Sequence, residues 1–252
     1  MSKQYTMVID LQKCVGCGAC ALACKTENNT QLRQDNQSFN WADFRHEETG
    51  TFPDVNYTAR PVLCNHCTKA KCVEVCPTTP KAMFKTADGI TMHNQERCIG
   101  CRQCQDECPY SDVEVEIGQW SVVSYNARGK ETQQFYRDKS ELIANCTTSG
   151  AELAGKTGAV PPSKTKYSHP DYAPVRTAGV VEKCIFCDHR LKEGQLPYCV
   201  TACPSKARTF GDANDESSDV AKLLKKNKAV VLKPEAGTHP NVHYIRSFRI
   251  AK

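Results

Sequence analysis

Sixteen of the chain's seventeen cysteines fall into four tight groups, and any fold must satisfy that constraint first. The stretch Arg97–Tyr110, RCIGCRQCQDECPY, carries Cys98, Cys101, Cys104 and Cys108 at the spacing C-x2-C-x2-C-x3-C, closed by Pro109. Cys14, Cys17, Cys20 and Cys24 repeat it, with Gly16 and Gly18 between them. Cys64, Cys67, Cys72 and Cys76 widen the middle gap to four residues and end in Pro77. Cys184, Cys187, Cys199 and Cys203 widen it to eleven and end in Pro204. Three thiolates this close in sequence can hold three corners of one cube, with glycine letting the backbone wrap closely. The fourth opens or rides a helix that points elsewhere, so each group needs a second one to complete it.

This is the spacing with which bacterial ferredoxins bind a cubane 4Fe–4S cluster, the fourth cysteine ligating the neighbouring cluster. Four groups therefore predict four 4Fe–4S clusters. Twenty-one residues separate Cys76 from Cys98, so the second and third groups read as one compact module that exchanges its last cysteines. One cubane would take Cys64, Cys67, Cys72 and Cys108; the other Cys98, Cys101, Cys104 and Cys76. The outer groups then pair across the chain, Cys14, Cys17 and Cys20 with Cys203, and Cys184, Cys187 and Cys199 with Cys24. The expected fold class is α+β, two nested ferredoxin-like modules around metal. Residues 1–60 and 180–252 form the outer module and 61–125 the inner one, with 126–179 an extended loop insertion.

Leu, Ile, Val and Phe are sparse and mean hydropathy is −0.54, so apolar burial looks thin for 252 residues. Metal binding that doubles as folding energy would make up the difference and leave the apoprotein largely unfolded. Disulfides are a poor alternative, because disulfide-dense scaffolds are usually short chains and such tight local groups would be strained. Zinc is the better rival, since C-x2-C pairs are its usual ligands, yet a third cysteine at the same step is not needed there. The formal charge of +5 would suggest a nucleic-acid or membrane-surface partner. Four clusters at roughly −2 each bring it to about −3, so the basic residues compensate clusters and no nucleic acid is implied.

No run approaches eighteen apolar residues, so direct membrane insertion is not expected. Met1–Tyr5 lead into a strand with no apolar leader region and no twin arginine. Alone this says cytoplasm; the alternative is export as a passenger on a partner that carries the signal.

Along the chain, Tyr5–Asp10 reads as a strand and Ala19–Glu27 as a helix that carries Cys24. That helix has room to run on, since Lys25 stands where the other groups have proline. Asn28–Arg60 opens as a loop anchored by Trp41, Phe44 and Phe52. A helix is expected over Ala70–Val75, and a hairpin from Ala82–Phe84 and Gly89–Met92 about Ala87-Asp88-Gly89. Strands follow at Val113–Ile117 and Trp120–Tyr125, with a third at Phe135–Arg137. Ala144–Pro174 is the least regular part, and Thr157–His169 reads as an extended loop, either a partner-docking arm or plain disorder. Pro197–Ala202 should be a helix and Ala207–Gly211 a strand. Ser218 or Asp219 caps a helix through Lys226 that buries Val220, Leu223 and Leu224. Ala229–Leu232 and Val242–Ile245 finish as strands.

The sequence carries no nucleophile elbow, zinc-protease helix or phosphate loop, and clusters fully ligated by cysteine leave no open site for a substrate. A series of one-electron carriers is a wire, so no catalytic residues are assigned. His66, Lys69, Lys71, Lys183, His189 and Arg190 flank the groups and read first as solvated charges or packing groups. His66 also has a sharper reading, a hydrogen bond to sulfur that raises a cluster's potential. Cys146 reads as a free thiol without a role, and His169, His239 and His243 as surface or packing residues.

With the motifs in place, the chain resembles the four-cluster iron–sulfur subunits of the molybdopterin (DMSO reductase family) oxidoreductases over nearly all its length. The segments that carry the likeness are MVIDLQKCVGCGACALACKTEN at Met7–Asn28, TFPDVNYTARPVLCNHC at Thr51–Cys67, EKCIFCDHRL at Glu182–Leu191 and LKPEAGTHPNVHYIRSF at Leu232–Phe248. ACKTENNT at Ala23–Thr30, GTFPDV at Gly50–Val55, SELIAN at Ser140–Asn145 and KTGAV at Lys156–Val160 are most similar to the small subunits of respiratory arsenate reductases. Polysulfide, tetrathionate and other oxyanion reductases and formate dehydrogenases have similar subunits. The resemblance implies an electron-transfer subunit of an anaerobic respiratory complex. Its partners would be a large molybdopterin catalytic subunit and a membrane quinol-oxidising subunit or multihaem cytochrome as donor. It also implies a periplasmic location, reached by co-export on the large subunit's twin-arginine signal.

Overall fold

The structure, a computed structural model, describes residues 2–28, 30, 37–111, 120–128, 141, 143–157 and 178–248. The elements run β1 (Tyr5–Asp10), α1 (Ala19–Asn28), β2 (Ala42–Thr51), β3 (Asp54–Leu63), α2 (Lys71–Glu74), β4 (Met83–Lys85), β5 (Thr91–His93) and α3 (Gln103–Asp106). They continue with β6 (Val123–Tyr125), α4 (Gly150–Thr157), β7 (Val181–Lys183), α5 (Asp188–Lys192), α6 (Tyr198–Thr201), β8 (Arg208–Asp212), α7 (Asp219–Lys226), β9 (Ala229–Val230) and β10 (Val242–Ile245). Short helices and short strands alternate, a mixed α/β chain.

One sheet joins the two ends of the chain, in the order β8-β1-β10-β9. β1 lies parallel to β10, with Met7 opposite Val242, and antiparallel to β8, with Tyr5 opposite Asp212. Side chains alternate across a strand, and β1 uses both faces. Met7 and Ile9 enter the large core that also holds Cys20, Cys24, Cys64, Cys104, Cys184 and Cys199. Val8 turns the other way onto Val220 and Ile245, beneath α7. Ser218 caps α7 as expected, its hydroxyl accepting from the Ala221 N–H at 3.0 Å, with Leu223 and Leu224 half-buried at the same contact.

β6 follows the third cysteine group and pairs with β7, which leads into the fourth, setting Val123 opposite Lys183. Beside this pair Gly100 lies so close to the backbone that a Cβ there would stand 2.2 Å from the Gly179 carbonyl oxygen. The C-terminal segment also reaches the second group. The Asn241 amide donates to the His66 carbonyl at 2.7 Å, and the Thr68 N–H donates to the His239 carbonyl at 2.9 Å.

The helix over α1 runs to Asn28, past Lys25, while α2, α3 and α6 stop short of the prolines that follow their groups. The β4–β5 hairpin, α6, β8 and β10 lie within a residue or so of their expected places. Several elements lie outside the expectation, β7 and α5 among them. No strand is expected in 42–63, yet it is a long hairpin, β2 paired with β3 from Ala42↔Leu63 to Thr51↔Asp54. Only its base is buried; the rest meets water on both faces, so it shows no apolar alternation. In the stretch expected to be irregular, α4 forms behind Ser149, whose hydroxyl accepts from the Glu152 N–H at 3.2 Å. Ser-Gly-Ala-Glu is the capping-box pattern. The strand expected at Trp120–Tyr125 is confined to β6, and that at Ala229–Leu232 to β9. Val113–Ile117, Phe135–Arg137, His169 and, beyond Thr157, the extended loop lie outside the described residues.

Candidate metal centre

Each of the four groups opens on a C-x2-C loop, and the residue before its second cysteine has positive φ in all four: Gly16 at 65°, His66 at 44°, Gly100 at 72° and Phe186 at 52°. That left-handed step wraps the loop around its thiols, and glycine adopts it without steric cost. The third cysteine of each group then falls on a helix, Cys20 in α1, Cys72 in α2, Cys104 in α3 and Cys199 in α6.

Two cavities show which thiols face one another in the middle of the chain. Cys64, Cys67, Cys72 and Cys108 line one. Cys76, Cys98, Cys101 and Cys104 line another. In each, the fourth thiol comes from the other group. Burial pushes the Cys108 thiol well up, and the nearby Cys64, Cys72 and Cys67 push it further. Cys104 is raised likewise, by burial and then by Cys72, Cys98, Cys101 and Cys76.

The outer groups meet in the same crossed way. Burial raises Cys24 well above the usual thiol range, and the next contributions come from Cys184, Cys187 and Cys199. Cys14 is raised by burial, eased by the Gly16 N–H, and feels both Cys20 and Cys203. Three further neighbours link the sets: Cys20 acts on Cys199, Cys64 on Cys184, and Cys72 on Cys104. Cys17 and Cys101 are exposed, whereas Cys24, Cys184, Cys187 and Cys199 are all buried.

Among the described residues no three His, Cys, Asp or Glu side chains converge on a point fit for a single ion. In two of the sets four thiols line one cavity, a donor set that fits a 4Fe–4S cube. Donors for sulfur are also in place. The Phe186 N–H lies 3.4 Å from Cys184 Sγ, and the Asn28 amide 3.5 Å from Cys24 Sγ and 3.9 Å from Cys187 Sγ. Cys76 and Cys203 are alike: burial disfavours each thiolate, yet hydrogen bonding outweighs it and holds both thiols below the ordinary range. For Cys76 the donors include the Met83 N–H and the Thr78 hydroxyl; for Cys203, the Ser205 hydroxyl and the Ala207 N–H.

The solvated reading of the flanking residues holds for Lys69 and Lys71, which are exposed, and is corrected for His66, Lys183 and His189, which are buried. His66 Nδ1 accepts from the Thr91 N–H at 3.2 Å, and burial, reinforced by Lys183 and Lys85, holds the ring neutral. No hydrogen bond joins it to a cysteine sulfur among the described residues. His189 and Arg190 both reach Glu27 of α1, at 2.9 and 3.3 Å. Cys146 is exposed. Sequence reasoning does not single out Asn28, Lys85, His93 or Arg208. The first follows Glu27 at the end of α1, but the others sit in strands where nothing in the sequence marks them.

The chain matches the 4Fe-4S dicluster domain family over residues 55–149 and 164–213, and the 4Fe-4S binding domain family over residues 5–26. It is 48% identical to the iron–sulfur subunit of the arsenate respiratory reductase of Shewanella sp., an alignment covering 97% of each chain. It is 34% identical to a selenate reductase subunit of Mesobacillus selenatarsenatis, over 96% of this chain and 72% of that one. It is also 34% identical to the iron–sulfur cluster-binding subunit of the menaquinone reductase of Nitratidesulfovibrio vulgaris, over 96% and 88%. With two cavities each lined by four cysteines drawn from two groups, and relatives of this kind along nearly its whole length, the chain belongs to the 4Fe-4S dicluster family and is an iron–sulfur electron-transfer subunit.

Proposed function

We propose that the chain is the four-cluster relay of a respiratory arsenate reductase, carrying electrons from a quinol-oxidising membrane subunit or a multihaem cytochrome to a large molybdopterin subunit. The crossing of the fourth cysteine between groups carries the reading. It supports four ligand sets: Cys14, Cys17, Cys20 and Cys203; Cys184, Cys187, Cys199 and Cys24; Cys64, Cys67, Cys72 and Cys108; Cys98, Cys101, Cys104 and Cys76. The sheet that joins β1 to β8 and β10 supports the nesting, with residues 1–60 and 180–252 as the outer module, 61–125 as the inner one and 126–179 as the insertion.

A 4Fe–4S cluster on such thiols supplies one-electron storage; the chain's part is to space the centres and set their potentials. The neighbour pairs Cys20–Cys199, Cys64–Cys184 and Cys72–Cys104 support a linear order. In it the two sets with an exposed cysteine, Cys17 and Cys101, stand at the ends and face partners. Among the described residues no helix is long and apolar enough to cross a membrane, which accords with periplasmic co-export on a partner and docking to a separate membrane subunit.

The higher identity to the arsenate relative than to the selenate one favours arsenate. The test is to purify the native complex, reduce its clusters with a menaquinol, and add arsenate or selenate while following the visible absorbance. Recovery of the oxidised spectrum with arsenate supports the reading. Recovery with selenate alone would assign a different partner, and a large subunit without molybdopterin would defeat it.

A further inference from the structure

The buried cations are not shared evenly among the four cysteine sets. The cavity lined by Cys64, Cys67, Cys72 and Cys108 is also lined by Lys183, which is 1% exposed. Its ammonium donates to the carbonyls of Thr91 and Cys184, the latter at 2.8 Å. Lys85 approaches the same loop, donating to the carbonyls of His66 at 3.2 Å, Cys67 at 3.0 Å and Gly89 at 2.6 Å, and to the Thr91 hydroxyl at 3.2 Å. No carboxylate among the described residues pairs with either lysine, unlike Lys192 with Asp188 at 2.6 Å or Arg246 with Asp10 at 2.9 Å. A buried ammonium without an acid needs another counter-charge, and the Cys64, Cys67, Cys72 and Cys108 thiols line the same cavity. The sister cavity, on Cys76, Cys98, Cys101 and Cys104, is lined instead by His93 and the half-buried Arg102.

We propose that Lys183, with Lys85 beside it, is the potential-setting residue of the centre on Cys64, Cys67, Cys72 and Cys108, and raises its midpoint above that of the sister centre. The inference rests on the four-centre relay proposed above. One electron arrives from a reduced neighbouring centre, which is oxidised in the step. The cube's net charge goes from about −2 to about −3. No bond forms or breaks. A fixed buried positive charge favours the more negative form, so the electron rests at this internal station before passing to the end of the relay.

The experiment is a redox titration followed by electron paramagnetic resonance on the holoprotein with its partner, comparing wild type with Lys183→Met and with Lys85→Met. The second variant serves if the first loads poorly, because Lys85 is less buried. Removal of either charge should lower one midpoint by about 60 mV or more, a tenfold change in the reduced-to-oxidised ratio for one electron. The largest shift should fall on the signal altered by Cys108→Ser, with a smaller one at the set that includes Cys184, whose carbonyl Lys183 also reaches. Unmoved midpoints in fully iron-loaded variants, or a larger shift in a signal that Cys108→Ser leaves intact, would overturn the proposal. Failure of the four-centre reading is distinguished beforehand by the iron content of the wild-type protein.

Discussion

The ring of His66 lies flat on the ring of Phe186, with centroids 3.6 Å apart and planes 20° from parallel. Both residues occupy the same place in their loops, immediately before the second cysteine, and both hold the left-handed conformation that Gly16 and Gly100 adopt in the other two groups. A side chain there costs about 1–2 kcal/mol relative to glycine. The two loops bearing that cost are the ones that meet in the core, His66 and Phe186 being 0% and 1% exposed. The stack therefore stands where the second and fourth groups touch.

Replacement of either ring by glycine should relieve backbone strain and lose the stack. The pair His66→Gly and Phe186→Gly should show a coupling of about 0.5–1.5 kcal/mol in a double-mutant cycle of holoprotein unfolding in denaturant. A coupling indistinguishable from zero would mean the rings merely fill space.

Glu27 clasps the helix of the first group to that of the fourth, and its side chain is 8% exposed. Glu27→Ala removes the acceptor that Arg190 and the buried His189 share and should cost about 3–5 kcal/mol. Glu27→Gln keeps an acceptor and should cost about 1–3 kcal/mol. Chemical unfolding of the holoprotein ranks the two; equal losses would argue that charge is irrelevant there.

The Asn28 amide donates toward two sulfurs, Cys24 Sγ and Cys187 Sγ. Donation stabilises the more negative state of a centre. Asn28→Leu should thus lower one midpoint by about 30–60 mV, the equivalent of roughly 0.7–1.4 kcal/mol. Redox titration with spectroscopic detection checks it, and a rise in that midpoint would contradict it.

His93 should make the holoprotein acid-sensitive. Its folded value is depressed to about 3 by burial and by Lys183, so its stabilising contribution is complete above the unfolded value near 6.5. As pH falls from there toward 3, the unfolded chain takes up a proton that the folded one refuses. Stability then drops by about 1.4 kcal/mol per pH unit. Denaturant midpoints between pH 7 and 5 measure the slope, and His93→Gln should flatten it. A slope unchanged by that substitution would assign the acid sensitivity to other groups.

Much of the site is legible in the sequence because its chemistry is local. Spacing alone places three thiols on one loop and helix, and the closing prolines at Pro77 and Pro204 mark where helices stop. The terminal strands are equally readable, since Met7, Ile9, Val242 and Tyr244 enter the large core while Val8 and Ile245 pack with Val220 of α7. The β2–β3 hairpin is not, because its outer part is exposed and its cross-strand pairs, His46 with Tyr57 and Glu47 with Arg60, are polar. Lys85, Lys183 and Arg208 are charged residues in or beside short strands, where sequence logic puts them in water. Lys183 and Arg208 are buried and Lys85 half-buried, against carbonyls and thiols that only the tertiary fold brings to them.

The central claim is that four crossed sets of thiols each hold a cube, and iron counting tests it most directly. Iron and acid-labile sulfide, measured against quantitative amino-acid analysis of the purified holoprotein, should each come to about sixteen atoms per chain. A value near eight, or stoichiometric zinc in place of iron, would contradict it.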